Sequence, residues 1–366
     1  MNEQYKPINA RAGVEPRARP ERAASNSVRS PVPDALGRVR GLIQPALRTA
    51  VDRLDDAQMR RIACYHMGWC EADGRPTEGG GGKAIRPSLA VLSAEAAGGS
   101  AAQGVASAVA VELVHNFSLL HDDVMDRDTE RRHRPTGWVV YGPGQAILAG
   151  NAMLAAAIEV LVDTGASGQR SLPCLLAATQ RLISGQSADL RLEGQPSVDL
   201  DEVLCMEAGK TAALMACSAS IGALAVGAPA AVVEGLAAFG HELGMAFQLV
   251  DDILGVVGDS AVTGKSSSSD VRAGKRSAPI VAALRAGGEA SRRLGDLLAA
   301  GPLASEEDVT LAIKLIDEAG GLEWAGREAD ARLTQALAHL DALASPRPAA
   351  VAEIAALARY VVARDS

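Results

Sequence analysis

The strongest constraint on the fold is a run of mostly apolar residues, 111–120, that ends on three carboxylates within five positions: Asp122, Asp123 and Asp126. In a helix Asp122 and Asp126 stand at i and i+4 and therefore point the same way. Like charges so placed cost a helix roughly a few tenths of a kcal/mol. Water can absorb that conflict if the helix end is solvated. Hard divalent cations with oxygen ligands would remove it, and Arg127, Arg131, Arg132 and Arg134 just beyond would suit phosphate oxygens.

The rest of the chain favours helices throughout. Aromatic residues make up only 3% of the 366, while Ala, Leu and Val dominate the apolar segments, a composition suited to helices over sheets. Nearly half the residues are hydrophobic, enough for a large core. No segment alternates convincingly as a strand would, so the class is all-α. A net charge of -8 argues against general nucleic-acid binding, which needs a basic field. The five cysteines are scattered without a CxxC pair, which excludes a disulfide framework and a structural zinc site and fits a reducing, cytoplasmic compartment. Two uncharged runs, 135–158 and 211–233, are long enough to cross a bilayer. Polar residues and prolines interrupt both, so they are expected to be helices buried on every face of a soluble bundle, with no membrane span.

Residues 1–33 contain much Pro, Ser and Arg and few large apolar side chains, and are expected to be a disordered tail without a signal peptide. Residues 34–366 are expected to form one domain. Asp34 is expected to cap a first helix whose Leu36, Val39, Ile43, Leu47, Val51 and Leu54 repeat at helical spacing. Further helices are expected at 56–70, 88–97, 101–126, 144–161, 172–192, 199–226, 230–257, 287–300, 306–318, 322–344 and 349–363. A glycine-rich loop, 73–82, leads into Lys83 and Arg86, which flank a helix start as an anion cradle would.

A second acidic pair, Asp251-Asp252, closes the apolar helix 230–257. A buried carboxylate without a partner is costly. Two such clusters at the ends of apolar helices, facing each other across a bundle, could hold magnesium that binds a diphosphate. Lys210-Thr211 and the polar loop 258–276, with Lys265 and Lys275, would add cations and a flap that excludes water.

Taken in order, Gly82-Lys83-Ala84-Ile85-Arg86-Pro87, Glu112-Leu113-Val114-His115, Asp122-Asp123-Val124-Met125-Asp126, Arg131-Arg132, Gly185-Gln186-Ser187-Ala188-Asp189, Lys210-Thr211, Phe247-Gln248-Leu249-Val250-Asp251-Asp252 and Gly264-Lys265 resemble the trans-isoprenyl diphosphate synthases (polyprenyl synthetases), of short-chain, actinobacterial type. The likeness runs from about residue 36 onward. It implies a single helical bundle around a deep apolar cavity, a homodimer, and head-to-tail condensation of isopentenyl diphosphate with an allylic diphosphate. Asp122, Asp126 and Asp251 would ligate magnesium, three ions per site, with Asp123 and Asp252 in support. Lys83, Arg86, His115 and Arg132 would hold isopentenyl diphosphate; Arg131, Lys210, Lys265 and Lys275 would hold the allylic diphosphate. Thr211 and Gln248 would line the reacting carbons. The family's usual acceptor of the final proton is the leaving pyrophosphate.

The sequence departs from that pattern in places. Gly255 stands where a third aspartate is usual, which leaves the second cluster one carboxylate short and predicts reduced activity. Ala84 replaces a basic residue, His133 and Ser268 replace glycines, and Ser277-Ala278 replaces Thr-Leu. The resemblance implies that Phe117 and Ser118, beneath the first cluster, are the chain-length positions; a floor at Phe117 with small Ser118 predicts a C20 product first and C15 second. Plain core packing is the other reading of Phe117. A class I terpene cyclase is the rival enzyme, opposed by the isopentenyl diphosphate set and by the scarcity of aromatics for cation-π stabilisation. A weakly active partner subunit of a heteromeric synthase is a further alternative, supported by Gly255 alone. Residues 1–32 are expected to be a solubilising tail, with docking to a protein nanocompartment shell as the alternative.

Overall fold

The computed structural model describes residues 33–77, 82–193, 195, 197–258, 268–299 and 301–363. The expectations for residues 1–32 and for Lys265 lie outside them. Sixteen α-helices occur among the described residues, with one two-stranded hairpin.

Helix α1 spans Asp34–Asp52 and buries Leu36, Val39, Ile43, Leu47 and Val51. Pro33 takes the cap position, so Asp34 sits in the first turn, where its charge suits the helix dipole, and does not cap. Asp56 does cap α2, Ala57–His66, accepting from the backbone N–H groups of Gln58 and Met59. Helix α3, Ile85–Ala96, begins earlier than expected because Pro87 lies in its first turn, where a missing N–H costs nothing. Ser100 and Gln103 form the capping box of α4, Ala101–Met125.

Strands Glu130–Arg131 and Arg134–Pro135 pair antiparallel around Arg132 and His133. Both turn residues have positive φ, 54° and 59°, the requirement of a type I′ hairpin that glycine or asparagine normally meets. After the short α5, Gly137–Tyr141, come α6, Pro143–Val162, and α7, Ala166–Leu192. Helix α7 starts six residues before the sequence expectation and runs through Pro173. Its first turns are tied to the end of α9 (Ala213–Ala225) by Ser167 and Arg170, which donate to the carbonyls of Leu224 and Ala225. The single helix expected over 199–226 is α8, Leu200–Glu207, then a π-helical turn, Ala208–Ala212, then α9. Helix α10, Ala230–Val257, falls where the apolar period places it. The remainder is α11 (Ser269–Ala273), α12 (Ala278–Arg285), α13 (Gly288–Ala299), α14 (Glu306–Glu318), α15 (Gly321–Asp341) and α16 (Pro348–Val362).

Helix α9 is the hub of the core. Leu214, Cys217 and Ile221 pack into a layer shared with α1, α2, α4, α6 and α7, while Met215, Ala219 and Ala223 pack into a layer shared with α3, α10, α15 and α16. Each large apolar side chain fully buried there contributes roughly 1.5–3 kcal/mol. Helix α6 behaves differently from the expectation of burial on every face. Ile147, Leu148 and Val162 are 40%, 54% and 59% exposed, although α6 is apolar enough to span a membrane. On α7, Leu176, Ile183 and Leu190, spaced at sevens, are exposed too.

Candidate active site

Helices α4 and α10 both end at one region of the molecule. Asp122 is half-buried at the end of α4, Asp126 caps that helix, and Asp252 is buried in the last turns of α10 beside exposed Asp251. Burial, reinforced by Asp126 and opposed by Lys210, raises the Asp122 carboxyl to about 6. Lys275 links the two clusters. Burial alone would lower its pKa, but the carboxylates of Asp270, Asp189, Asp252 and Asp126 overcome that and hold it protonated. Lys210 donates to Asp189 at 2.6 Å.

The π turn decides where Lys210 and Thr211 point. Its backbone rests directly on α7 at Gly185, where a Cβ would lie 2.7 Å from the Cα of Lys210. Only glycine permits that approach. A π turn inserts one residue into the helical ladder and is frequent at functional sites. Thr211 then donates its hydroxyl to Gln248 Oε1 at 2.6 Å, and Gln248 Nε2 donates to Asp252 Oδ1 at 2.8 Å.

Gly255 also has a structural reason. A Cβ there would lie 2.7 Å from the carboxyl carbon of Asp270. The absent side chain therefore makes room for another carboxylate, supplied from α11. Ser268 and Ala84, two further departures noted in the sequence, have φ of 55° and 56°, the left-handed region where a side chain is strained.

A second region is built from cations. Arg86 Nη1 lies 3.5 Å from His115 Nε2, and burial together with Arg86 and Arg132 holds His115 well below the usual histidine range, so it is neutral. Arg132 approaches Gly82, whose carbonyl accepts from Arg40 at 2.9 Å. Beneath them Glu112 is raised by burial, while Arg86, Arg132 and Arg40 favour its ionised form. Asn116 Nδ2 donates to the Glu112 carbonyl and to its Oε1, at 2.8 and 3.1 Å. Lys83 is exposed at the approach to α3. Arg131 turns to Asp123, which its Nε reaches at 2.7 Å. A recess of about 400 Å³ opens beside the hairpin, lined by Tyr65, His66, Asp123, Arg131, Arg132 and Arg134.

The sequence reading assigned no role to Glu112, Asp189 or Asp270. The first two sit inside motifs it quoted; Asp270 becomes visible only through its contact with Gly255. The Phe117 ring packs edge-on to His121 with centroids 4.9 Å apart, and His121 Nε2 lies 3.0 Å from the Ile147 carbonyl of α6. Phe117 therefore lies toward α6, whereas Ser118 is one helical turn below Asp122 on its own face.

Comparison with known proteins follows the same lines. The model of the polyprenyl synthetase family matches residues 74–316. A (2E,6E)-farnesyl diphosphate synthase of Mycobacterium tuberculosis is 46% identical over 336 residues, covering 90% of this chain and 93% of its own. A geranylgeranyl diphosphate synthase of that species is 43% identical over 324 residues, covering 87% and 92%. The crystal structure of a polyprenyl synthetase from Streptomyces coelicolor is similar with a TM-score of 0.85 at 49% identity, covering 90% of this chain and 99% of that one. With its acidic helix ends and its arginine cluster in the order those motifs require, the chain belongs to the polyprenyl synthetase family.

Proposed function

We propose that the protein is a cytoplasmic short-chain trans-polyprenyl diphosphate synthase, a transferase that condenses isopentenyl diphosphate head-to-tail with an allylic diphosphate. One observation carries this reading: carboxylates of both acidic clusters, Asp126 at the end of α4 and Asp252 at the end of α10, act on the single cation of Lys275, with a separate arginine cluster around Glu112. One anion region asks for a cation; the other supplies its own.

Among the described residues no three carboxylates or other ligating side chains converge into a ready metal cage. That fits magnesium, which keeps several waters and is held through one or two carboxylates plus substrate phosphates. Asp122, Asp126 and Asp251 would hold it, with Asp270 supplying the carboxylate that Gly255 omits. When bound, magnesium neutralises the charge that grows on the diphosphate as the allylic C–O bond breaks. Lys210 and Lys275 act on that same developing charge and so favour the transition state over the ground state. Thr211 has committed its hydrogen to Gln248, so its oxygen offers only lone pairs to the carbons beside it. Arg86, His115 and Arg132 orient isopentenyl diphosphate from the basic side, His115 as a neutral imidazole. Metal analysis of the enzyme loaded with a diphosphate is expected to return three ions per chain.

The apolar faces of α6 and α7 are the surface for a second copy of this chain. Leu176, Ile183 and Leu190 at heptad spacing, beside Ile147, Leu148 and Val162, form the stripe that helix pairing uses. The tail, residues 1–32, is taken as a solubilising extension; co-purification of a shell protein with the intact chain, lost on its removal, overturns that.

Incubation with isopentenyl diphosphate, magnesium and each of the C5, C10 and C15 allylic diphosphates tests the reading. A C20 product, with C15 second, is expected. A cyclic hydrocarbon without incorporation of isopentenyl diphosphate would identify a cyclase instead. Ser118→Phe, placed under Asp122, is expected to shorten the product, and Phe117→Ala to lengthen it less than Ser118→Phe shortens it. An unchanged chromatographic profile in both removes these positions from chain-length control.

A further inference from the structure

Within the motif Gly185-Gln186-Ser187-Ala188-Asp189, Gly185 admits the π turn and Asp189 holds Lys210. Gln186, between them, does neither. It is 5% exposed, and neither its amide oxygen nor its amide nitrogen has a hydrogen-bond partner among the described residues. The amides of Asn116 and Gln248, by contrast, are paired. Taking an amide out of water without partners is costly, and leaving both of its ends unmatched costs more than leaving one. A fold gains nothing from such a group.

Its position on α7 shows what it stands between. The buried face of that helix includes Leu175, Ala178, Leu182, Gln186 and Asp189. Side chains three or four apart on a helix are neighbours, roughly 5–6 Å between Cβ atoms. One turn toward the start of α7, Leu182 belongs to the apolar layer that also holds Leu113, Val114 and Leu214. One turn toward its end, Asp189 accepts from Lys210, whose charge acts on the Asp122 carboxyl. Backbone meets backbone at this level, since a Cβ on Gly209 of the π turn would lie 3.1 Å from the Cα of Gly185. Gln186 thus follows directly on the contact between α7 and the π turn, where charged side chains give way to apolar ones. A prenyl diphosphate has the same order along its length: anion, reacting carbon, hydrocarbon.

Resting on the synthase reading above, we propose that Gln186 is a catalytic residue for ionisation of the allylic substrate, its amide laid along the C–O bond that breaks. The bond cleaves heterolytically: its electron pair leaves with the diphosphate and the allylic carbons become positive. The two ends of one amide serve the two fragments. Nε2 donates to the departing oxygen, while Oε1 turns its lone pairs to the carbons. Partners that form fully only as the bond ionises favour the transition state over the ground state. The unmatched amide in the resting chain is the stability given up for that preference.

The test uses the full chain and Gln186→Met, which keeps the length of the side chain and removes both polar ends. With magnesium and both substrates, kcat is expected to fall about 10- to 100-fold while KM for isopentenyl diphosphate stays within about 2-fold. Without substrates, the variant is expected to melt about 1–4 °C above the wild type, because an apolar side chain of similar shape replaces an unmatched amide. A purely structural amide would not give lower activity together with higher stability. Wild-type kcat in Gln186→Met, or a loss confined to KM, overturns the proposal. A variant that melts lower or fails to fold overturns it too, since the amide would then be serving the fold. If the wild-type chain condenses nothing, the synthase reading has failed and this role with it; wild-type turnover beside an unaffected variant fails the role alone.

Discussion

On the proposed reading, the two charged regions would solve one problem with opposite materials. Asp122, Asp126, Asp251, Asp252 and Asp270 stand at or beside the ends of α4 and α10, a charge that would repel a diphosphate until cations arrive. Arg86, His115 and Arg132 would attract one directly, with half-buried Glu112 as the counter-charge. The first would therefore be gated by metal and by protons; the second would stand ready at all times. An enzyme that must ionise one substrate and merely hold the other has reason to keep these chemistries apart.

The largest expected effect breaks the acidic side. Asp122→Asn should lower kcat/KM by about 10³-fold, the order found when a group that stabilises developing charge is removed. Chelation of magnesium should abolish turnover yet leave isopentenyl diphosphate binding measurable by calorimetry. Because Asp122 must be ionised to ligate and its carboxyl stands at about 6, binding of the metal and allylic diphosphate should weaken as pH falls below that value. The metal-free chain should move the other way. A carboxyl raised in the folded state binds its proton more tightly there, so it adds stability at low pH that is lost as pH rises through about 6. On the basic side His115 should add no titration over this range, since it is held well below the usual histidine range.

Arg132→Gln probes that basic side. It should raise KM for isopentenyl diphosphate about 10- to 100-fold, the loss of a hydrogen bond to a charged group, with a small change in kcat. An equal loss for the allylic substrate would merge the two regions into one. Gly255→Asp comes next. The added side chain meets Asp270 in both space and charge, so a drop of about 10-fold in kcat/KM is expected. Combining it with Asp270→Gly should restore most of that loss, which a double-mutant cycle measures. Higher activity in Gly255→Asp alone would mean that the cluster was one carboxylate short after all. The smallest effect lies in the hairpin that carries Arg132. His133→Gly should relieve the positive φ and add about 1 kcal/mol, raising Tm by about 1–2 °C in a melting experiment.

The long helices were legible because their apolar period is unambiguous. Helix α10, Ala230–Val257, and α14, Glu306–Glu318, begin and end where that period and their flanking residues place them. Helix α7 starts six residues before the expected 172, where bonds from Ser167 and Arg170 to the end of α9 hold its first turns although Pro173 lies within the helix. The π turn left no trace in the pattern, since one inserted residue barely disturbs a uniformly apolar run. The carboxylate and arginine motifs were visible as motifs. What they contact was not: Asp189 under Lys210, Asp252 accepting from the Ala278 backbone and Asp270 over Gly255 are meetings of residues distant in sequence, which no local spacing encodes.

The π turn has a further consequence for what can be altered in this molecule. A variant one residue shorter across 208–212 could run from α8 into α9 as an unbroken α-helical ladder, and that helix would be the stiffer for it. Lys210 and Thr211 would then be turned by about 100° against one flank or the other. The change that most regularises this backbone is thus one that disarms it, and screening for thermal tolerance alone would select toward an inert protein.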